Sequence, residues 1–388
     1  MNFVSRRGLI NNILNLGVIG LGIPSIIGLS GCESADINSL SNLARDKNGG
    51  AFDDFGDFYM PAEDDPHLRT FMQLPTSLDV YGTKDLARVQ KEIISIANAI
   101  SDFEPVVILA SKENKNKFAT KLSKNVEFWD IDCDDLWCRD SGPTFIRNDK
   151  GQLAISHIKF NGWGQKQKFE KDGKIASLIA ERLGLKLIDS GLYGEQGAVE
   201  SDGNGTLLAH ISSWQEDGRN TDNLQSIGEK LTNALGAQKI IWADGLKDED
   251  ITDYHIDSLA RFVDKGHVLF QNPDDSDKND IWYKSAMKTF EVLQSAKDAD
   301  GNKLKITTIE SPIDIRSQKD DFVSSYVNYY VCNDAVICAQ FGDEKADKAA
   351  QEILQSLYPS RKIIALEIDA IGESGGGIHC ATQQQPMV

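Results

Sequence analysis

The chain has 388 residues, 41 of them basic and 59 acidic, for a net charge of −18. That surplus of acid argues against nucleic acid as a partner, and it suits either a plainly acidic surface or attraction of cationic ligands.

The first predicted element is an export signal rather than part of a fold. Ser5-Arg6-Arg7-Gly8-Leu9-Ile10 resembles a twin-arginine motif, and an apolar run from about Ile13 to Leu29 follows it. Leu29-Ser30-Gly31-Cys32 then resembles a bacterial lipobox, with Cys32 as the lipidated residue. The asparagines, glycines and Pro24 of the run count against an uncleaved anchor. Residues 1–31 are therefore read as signal. Residues 32–57, rich in Ser, Asn, Asp and Gly, are read as a flexible tether, and 58–388 as a single catalytic domain. The expected location is exported, either periplasmic or as a membrane-anchored bacterial lipoprotein, with membrane contact only through that N-terminus. No other segment is long and apolar enough to span a bilayer.

Apolar runs then alternate with helical patterns. Leu86 to Ile100 reads as a helix, Val106 to Leu109 and Glu127 to Ile131 as strands, and Ile175 to Leu183 as a helix stopped by Gly184. Lys186 to Ile188 reads as a strand, Asn223 to Leu235 as a helix stopped by Gly236, and Lys239 to Trp242 as a strand. Val268 to Phe270 and Lys305 to Ile309 read as strands around a helix at Ile281 to Ala296. Val331 to Phe341 reads as one buried strand, followed by a helix at Lys345 to Leu357 and a strand at Ile363 to Leu366. Strands alternating with helices define an α/β chain. The pattern alone does not choose between a doubly wound sheet, a barrel and a repeated arrangement.

Chemistry concentrates at the end of the chain. Cys380 follows Gly375-Gly376-Gly377-Ile378-His379, and glycines let a backbone approach a ligand closely, so its thiol is a candidate nucleophile. Of the other cysteines, neither Cys133 and Cys138 nor Cys332 and Cys338 have the spacing of zinc ligands, and four of the thiols could pair. Four more segments carry candidate groups: Asp135 to Pro143, Glu195 to Thr206, His255-Ile256-Asp257 and Ser325 to Tyr330. In a strand, His255 and Asp257 would project from one face. Asp140, before Ser-Gly-Pro, sits at a turn, and the glycine-rich stretch 197–205 fits a hairpin turn. A thiol, an imidazole and several carboxylates would serve either a cysteine peptidase or chemistry on a guanidinium. The extra carboxylates favour the second, because paired carboxylates hold a planar guanidinium through charge-assisted hydrogen bonds.

Six ordered motifs carry a resemblance over Tyr59 to Pro386. They are Trp137-x-Arg139-Asp140-x-Gly142-Pro143, Glu195-x-Gly197-x5-Gly203-x-Gly205-Thr206, His255-Ile256-Asp257, Ser325-Tyr326-Val327-Asn328-x-Tyr330, Gln340-Phe341-Gly342-Asp343 and the Gly-Gly-Ile-His-Cys-x-Thr-Gln-Gln-Gln-Pro ending. Together they resemble the agmatine deiminase family, which is grouped with bacterial peptidylarginine deiminases. The resemblance implies a five-bladed α/β propeller of ββαβ-type units around a central polar site. It implies Cys380 as nucleophile, His255 as proton carrier, Glu195 as an additional site carboxylate, and Asp140 and Asp257 as the guanidinium clamp. Trp163 and Asn328 match family positions beside the substrate, Glu200 is read as outward or structural, and neither metal nor organic cofactor is implied. The implied reaction converts agmatine and water to N-carbamoylputrescine and ammonia, a step of putrescine metabolism. A deiminase of free or protein-bound arginine yielding citrulline is the alternative, and a non-catalytic lipoprotein binding a cationic ligand is a third reading. Two departures stand out. Gln196 replaces the second residue of the family's Glu-Gly-Gly, and Met72 to Tyr81 replaces a tryptophan-rich segment that the resemblance places at the pocket mouth.

Overall fold

The computed structural model describes residues 55–319 and 321–388. The signal at 1–31, Cys32 and the tether up to residue 54 lie outside the described residues.

Val106-Val107-Ile108-Leu109-Ala110 has no polar position, and such a strand must be covered on both faces. The chain meets that demand with crossover helices. β1 (His67–Gln73), β2 (Val106–Ala110) and β3 (Val126–Asp130) run parallel, joined by α1 (Leu78–Ser101) and α2 (Lys112–Phe118). The short α3 (Cys138–Ser141) leads into β4 (Thr144–Arg147), which pairs antiparallel with β5 (Leu153–Lys159). α4 (Gly162–Gln165) and α5 (Ile175–Leu183) follow, and β6 (Lys186–Tyr193) then pairs parallel with β5.

The same order, antiparallel pair, helix, parallel strand, recurs three times. It forms β7 (Val199–Ser201), β8 (Thr206–His210), α6 (Leu224–Leu235) and β9 (Lys239–Ala243). It forms β10 (Ala260–Asp264), β11 (His267–Asn272), α7 (Ile281–Ser295) and β12 (Lys305–Glu310). It forms β13 (Tyr330–Cys332), β14 (Ala335–Ala339), α8 (Glu344–Leu357) and β15 (Lys362–Leu366). After the short α9 (Asp369–Gly372), β16 (Thr382–Pro386) returns to pair antiparallel with β1, so the last strand completes the first sheet. The described residues thus form five separate sheets of three or four strands in an α/β fold. The largest apolar core packs α1 and α8 against the sheets of β1–β2 and β13–β15.

Helix limits follow their caps. α6 begins after Asn223, whose side chain accepts from the Ser226 amide, and stops at Gly236 in the left-handed conformation. α1 runs further toward its N-terminus than the apolar spacing indicates, because Ser77 caps it and the chain continues through a kink at Gly82. The run Val331 to Phe341 is not one strand: it turns at Asn333-Asp334 and makes the antiparallel pair of β13 and β14. All five described cysteines are buried thiols, and no disulfide occurs among the described residues.

Candidate active site

Each site segment lies just ahead of the leading strand of one sheet. Asp140 is in α3, before β4. Glu195 and Gly197 precede β7, His255 and Asp257 precede β10, Asn328 precedes β13 and Cys380 precedes β16. Segments far apart in sequence are therefore brought together by one repeated topological position.

The thiol is held by its neighbours. Asn328 Nδ2 donates to Cys380 Sγ at 3.2 Å, and Asn328 Oδ1 accepts from the Cys380 amide at 3.3 Å. Asp257 Oδ2 lies 3.5 Å from the same sulfur. A Cβ at Gly377 would stand 2.5 Å from Asn328 Oδ1, and one at Gly376 would overlap the Trp137 ring. The glycines before the cysteine thus let its loop sit directly against Trp137 and Asn328.

His255 is not on a strand. It sits ahead of a 3-10 turn, Ile256–Ser258, which still buries it and Asp257 together. Asp253 and Tyr254, immediately before it, both have positive φ, 58° and 68°, which costs about 1 kcal/mol or more for each. Ion pairs hold that turn: Asp253 Oδ2 receives Arg219 at 2.7 Å and Lys166 at 2.6 Å, and Asp253 Oδ1 accepts the Asp248 amide at 2.9 Å. Arg219 Nε also reaches both oxygens of Glu195, at 3.1 and 3.0 Å. Glu195 Oε2 in turn accepts from His255 Nε2 at 3.2 Å. Burial would raise the Glu195 carboxyl, but the Arg219 charge and the His255 contact hold it below its ordinary value. Burial would lower His255, yet Asp140, Glu195 and Asp257 outweigh it and raise the imidazole above 6.5. Burial likewise opposes ionisation of Asp257, but its hydrogen bond with His379 and nearby cationic groups bring it down to about 2.

Gly197 locates the point that these groups face. A Cβ there would lie 2.8 Å from Asp140 Oδ1, 2.8 Å from His255 Nδ1 and 3.2 Å from Asp257 Oδ2. His255 Nδ1 itself is 3.7 Å from Asp140 Oδ1. Asp140 is oriented from its other oxygen by the indole of Trp163, at 2.9 Å. Trp163 is buried, has φ 54° and packs edge-on against Phe160.

A cavity of about 470 Å³ reaches one side of this site, its lining including His255, Asp257 and Cys380 but neither Asp140 nor Gly197. Asp250, Asp274, Asp277 and Asp280 also line it, with Trp282 and Ile313, and among the described residues no Lys or Arg does. Met72 to Tyr81 contributes no residue to that lining, contrary to the position expected from the resemblance. Met72 and Leu74 are packed in the core instead.

The structure gathers the seven residues into one site as two bonded groups, one of Asn328, Cys380 and Asp257 and one of Glu195, His255, Asp140 and Trp163, which meet around Gly197. Glu200 is not outward. It is buried against Arg261 Nε at 3.1 Å, with burial pushing its carboxyl up. Gln196 is buried with its Oε1 lacking a hydrogen-bond partner, a cost that a glycine there would not incur. Sequence reading missed Arg219, Glu63 and Arg261, and gave no role to Arg139 and His379, which stand in the motifs. Arginines fixed on site carboxylates carry no spacing signal, although an isolated Arg in the polar loop Glu216-Asp217-Gly218-Arg219-Asn220 was a candidate counter-charge.

A buried thiol beside an imidazole and two carboxylates is a site for a cationic carbon electrophile. The chain matches the model of the Porphyromonas-type peptidyl-arginine deiminase family over residues 59–386. It belongs to that family. A Legionella pneumophila protein described as "Putative agmatine deiminase" is 34% identical over 333 residues, covering 85% of this chain and 95% of that one. The solved agmatine deiminase of Enterococcus faecalis is 28% identical with a TM-score of 0.79, covering 85% of this chain and 96% of its own. A C. jejuni agmatine deiminase with substrate bound is 25% identical with a TM-score of 0.74, covering 84% and 96%.

Gly197→Ala places a methyl group at the point shared by Asp140, His255 and Asp257. Substrate turnover should fall at least about 100-fold, because a small misplacement of reacting groups costs that much. The melting temperature should fall as well, since the buried Asp140 and His255 must give way to the added methyl although φ at Gly197 is not in the left-handed region. Parallel assay and thermal unfolding would check this, and a Gly197→Ala enzyme as active as the parent would refute the geometry.

Proposed function

We propose that the chain is a hydrolytic deiminase of agmatine, forming N-carbamoylputrescine and ammonia through a covalent intermediate on Cys380. The carrying observation is the convergence of Asp140, His255 and Asp257 on one point beside the thiol. Guanidine deimination is what family membership and the agmatine deiminase relatives support. The choice of agmatine rests further on the cavity. A free arginine carboxylate calls for a cation, whereas the lining offers four aspartates besides Asp257 and, among the described residues, no Lys or Arg, which suits the amine of agmatine.

In this reading Asp140 and Asp257 each accept guanidinium N–H groups and turn the carbon toward Sγ. The Cys380 thiolate attacks, a C–S bond forms and the carbon becomes tetrahedral. The C–N bond to one terminal nitrogen then breaks as His255 delivers its proton, releasing ammonia and leaving a thiouronium on Cys380. Water adds next and gives a proton to His255. The C–S bond breaks as the added hydroxyl loses its remaining proton to solvent, and the ureido product and the thiolate are released. Glu195, fixed by Arg219, keeps His255 oriented and favours its protonated form.

The finer architecture also belongs here. Five sheets of like order, a last strand closing on the first, and one site segment ahead of each leading strand support a five-bladed propeller around the site. A crystal structure whose sheets form no ring would overturn it. Export as a lipoprotein rests on Arg6, Arg7 and Cys32. Cys32→Ser should then move the protein from the membrane fraction to the soluble one, and unchanged membrane recovery would count against lipidation.

The function is tested by product analysis with agmatine, free arginine and an arginine peptide at equal concentration. Agmatine should be turned over best, and Cys380→Ala should lose about a thousandfold or more. Citrulline as the main product would instead establish an arginine deiminase. The pH dependence follows from the sign of the His255 shift. A raised imidazole keeps its proton above pH 6.5 and loses it as pH rises through the raised value. The alkaline limb of kcat/KM should therefore lie above 6.5 and move to lower pH in Glu195→Gln. A limb that stays in place or moves up would show that Glu195 does not support the imidazolium.

A further inference from the structure

A second buried ionic cluster adjoins the site and has no part in the steps above. Each ring nitrogen of His379 meets a carboxylate: Nδ1 lies 2.7 Å from Asp257 Oδ2, and Nε2 lies 2.8 Å from Glu63 Oε2. Glu63 is itself anchored. Its Oε2 receives Arg139 at 3.1 Å and Arg261 at 2.8 Å, and its Oε1 accepts the Val331 amide at 2.9 Å. Arg139 also donates to the His379 carbonyl at 3.3 Å and to Gln384 Oε1 at 2.8 Å. The imidazole therefore cannot turn without breaking a charge-assisted contact at each end.

The end at Asp257 matters for the reaction. Oδ2 carries the His379 bond and faces Cys380 Sγ at 3.5 Å, while Oδ1 is buried with no hydrogen-bond partner. A carboxylate can swing about its terminal torsion, which is broad. Fixing one oxygen from behind fixes the direction of the other. Glu63 already has two arginines and an amide, so it does not need the imidazole for its own neutralisation.

We propose that His379, braced by Glu63, is a positioning residue. It pins Asp257 Oδ2, the oxygen that faces the Cys380 thiol and the point shared by Asp140 and His255, so that the carboxylate is held in one orientation toward a guanidinium N–H. The inference rests on the deiminase reading for its effect on turnover, but its effect on binding stands apart from that reading.

The two ends of the ring can be separated by substitution. The side-chain nitrogen of Asn replaces Nδ1 of a histidine, and that of Gln replaces Nε2. His379→Asn keeps a donor for Asp257 and abandons Glu63, whereas His379→Gln keeps the one for Glu63 and abandons Asp257. Two readouts are taken: kcat/KM for agmatine, and agmatine Kd by calorimetry in a Cys380→Ser background. His379→Gln should weaken both by about 10- to 100-fold, the value of a hydrogen bond to a charged group, and His379→Asn should lose at least about threefold less in each. Equal losses, or a greater loss in His379→Asn, would overturn the proposal, because a ring that only fills space or neutralises Glu63 gives that order. If His379→Gln is not recovered folded, Glu63→Gln takes its place and should raise Kd by about threefold or more. An unchanged Kd would then overturn the bracing. Failure of the parent enzyme to release ammonia from any guanidine would defeat the deiminase reading alone, since the calorimetric order still reports on Asp257.

Discussion

Burying carboxylates is costly unless cations meet them, and this structure buries Asp140, Glu195 and Asp257, with Glu63 largely covered, about one thiol. Most of the compensation is built in. Arg219 neutralises Glu195 and the strained turn at Asp253, while Arg139 and Arg261 neutralise Glu63. The remaining demand falls at the point faced by Asp140, His255 and Asp257, beside Gly197. A planar cation placed there is attracted by the same carboxylates that orient its carbon, so binding and alignment for attack come from one arrangement.

The fold supplies this arrangement by repetition. Each sheet begins with a strand whose approach segment carries site residues: α3 for Asp140, the β6–β7 connection for Glu195, the β9–β10 connection for His255 and Asp257. The chain before β13 brings Asn328, and the chain before β16 brings Cys380. Because β16 pairs with β1, Cys380, the proposed nucleophile at the far end of the chain, is held by the first strand. The helices can then be ordinary amphipathic elements, covering the sheets with apolar faces, while the start of α7 reaches the cavity through Asp280 and Trp282.

Much of this was legible in the sequence, for identifiable reasons. Elements with an apolar face showed their limits through caps: Gly184 closes α5, and Asn223 and Gly236 bracket α6. The strands nearest the site were silent. β16 is Thr382-Gln383-Gln384-Gln385-Pro386, polar yet buried throughout, and β7 has three residues, so neither makes a hydrophobic pattern. Six of the site residues came from ordered motifs, and Trp163 from a matching aromatic outside them, rather than from periodicity. Their supporting charges were given no role, because Arg219 touches Glu195 only through the tertiary fold, and Arg139 and His379 stood in the motifs with nothing in their spacing to reveal their partners. The reading of His255 and Asp257 as strand neighbours reached the right pair through the wrong geometry, since a 3-10 turn brings them to the site.

The central claim is that Cys380 attacks the carbon of a guanidinium held by buried carboxylates. The most direct measurement is mass spectrometry of the enzyme quenched with acid during turnover of agmatine. The account predicts a peptide containing Cys380 heavier by the substrate less ammonia, absent from Cys380→Ser and transient in the parent. Ammonia release at full rate with Cys380 unmodified throughout, or an adduct on another residue, would contradict it.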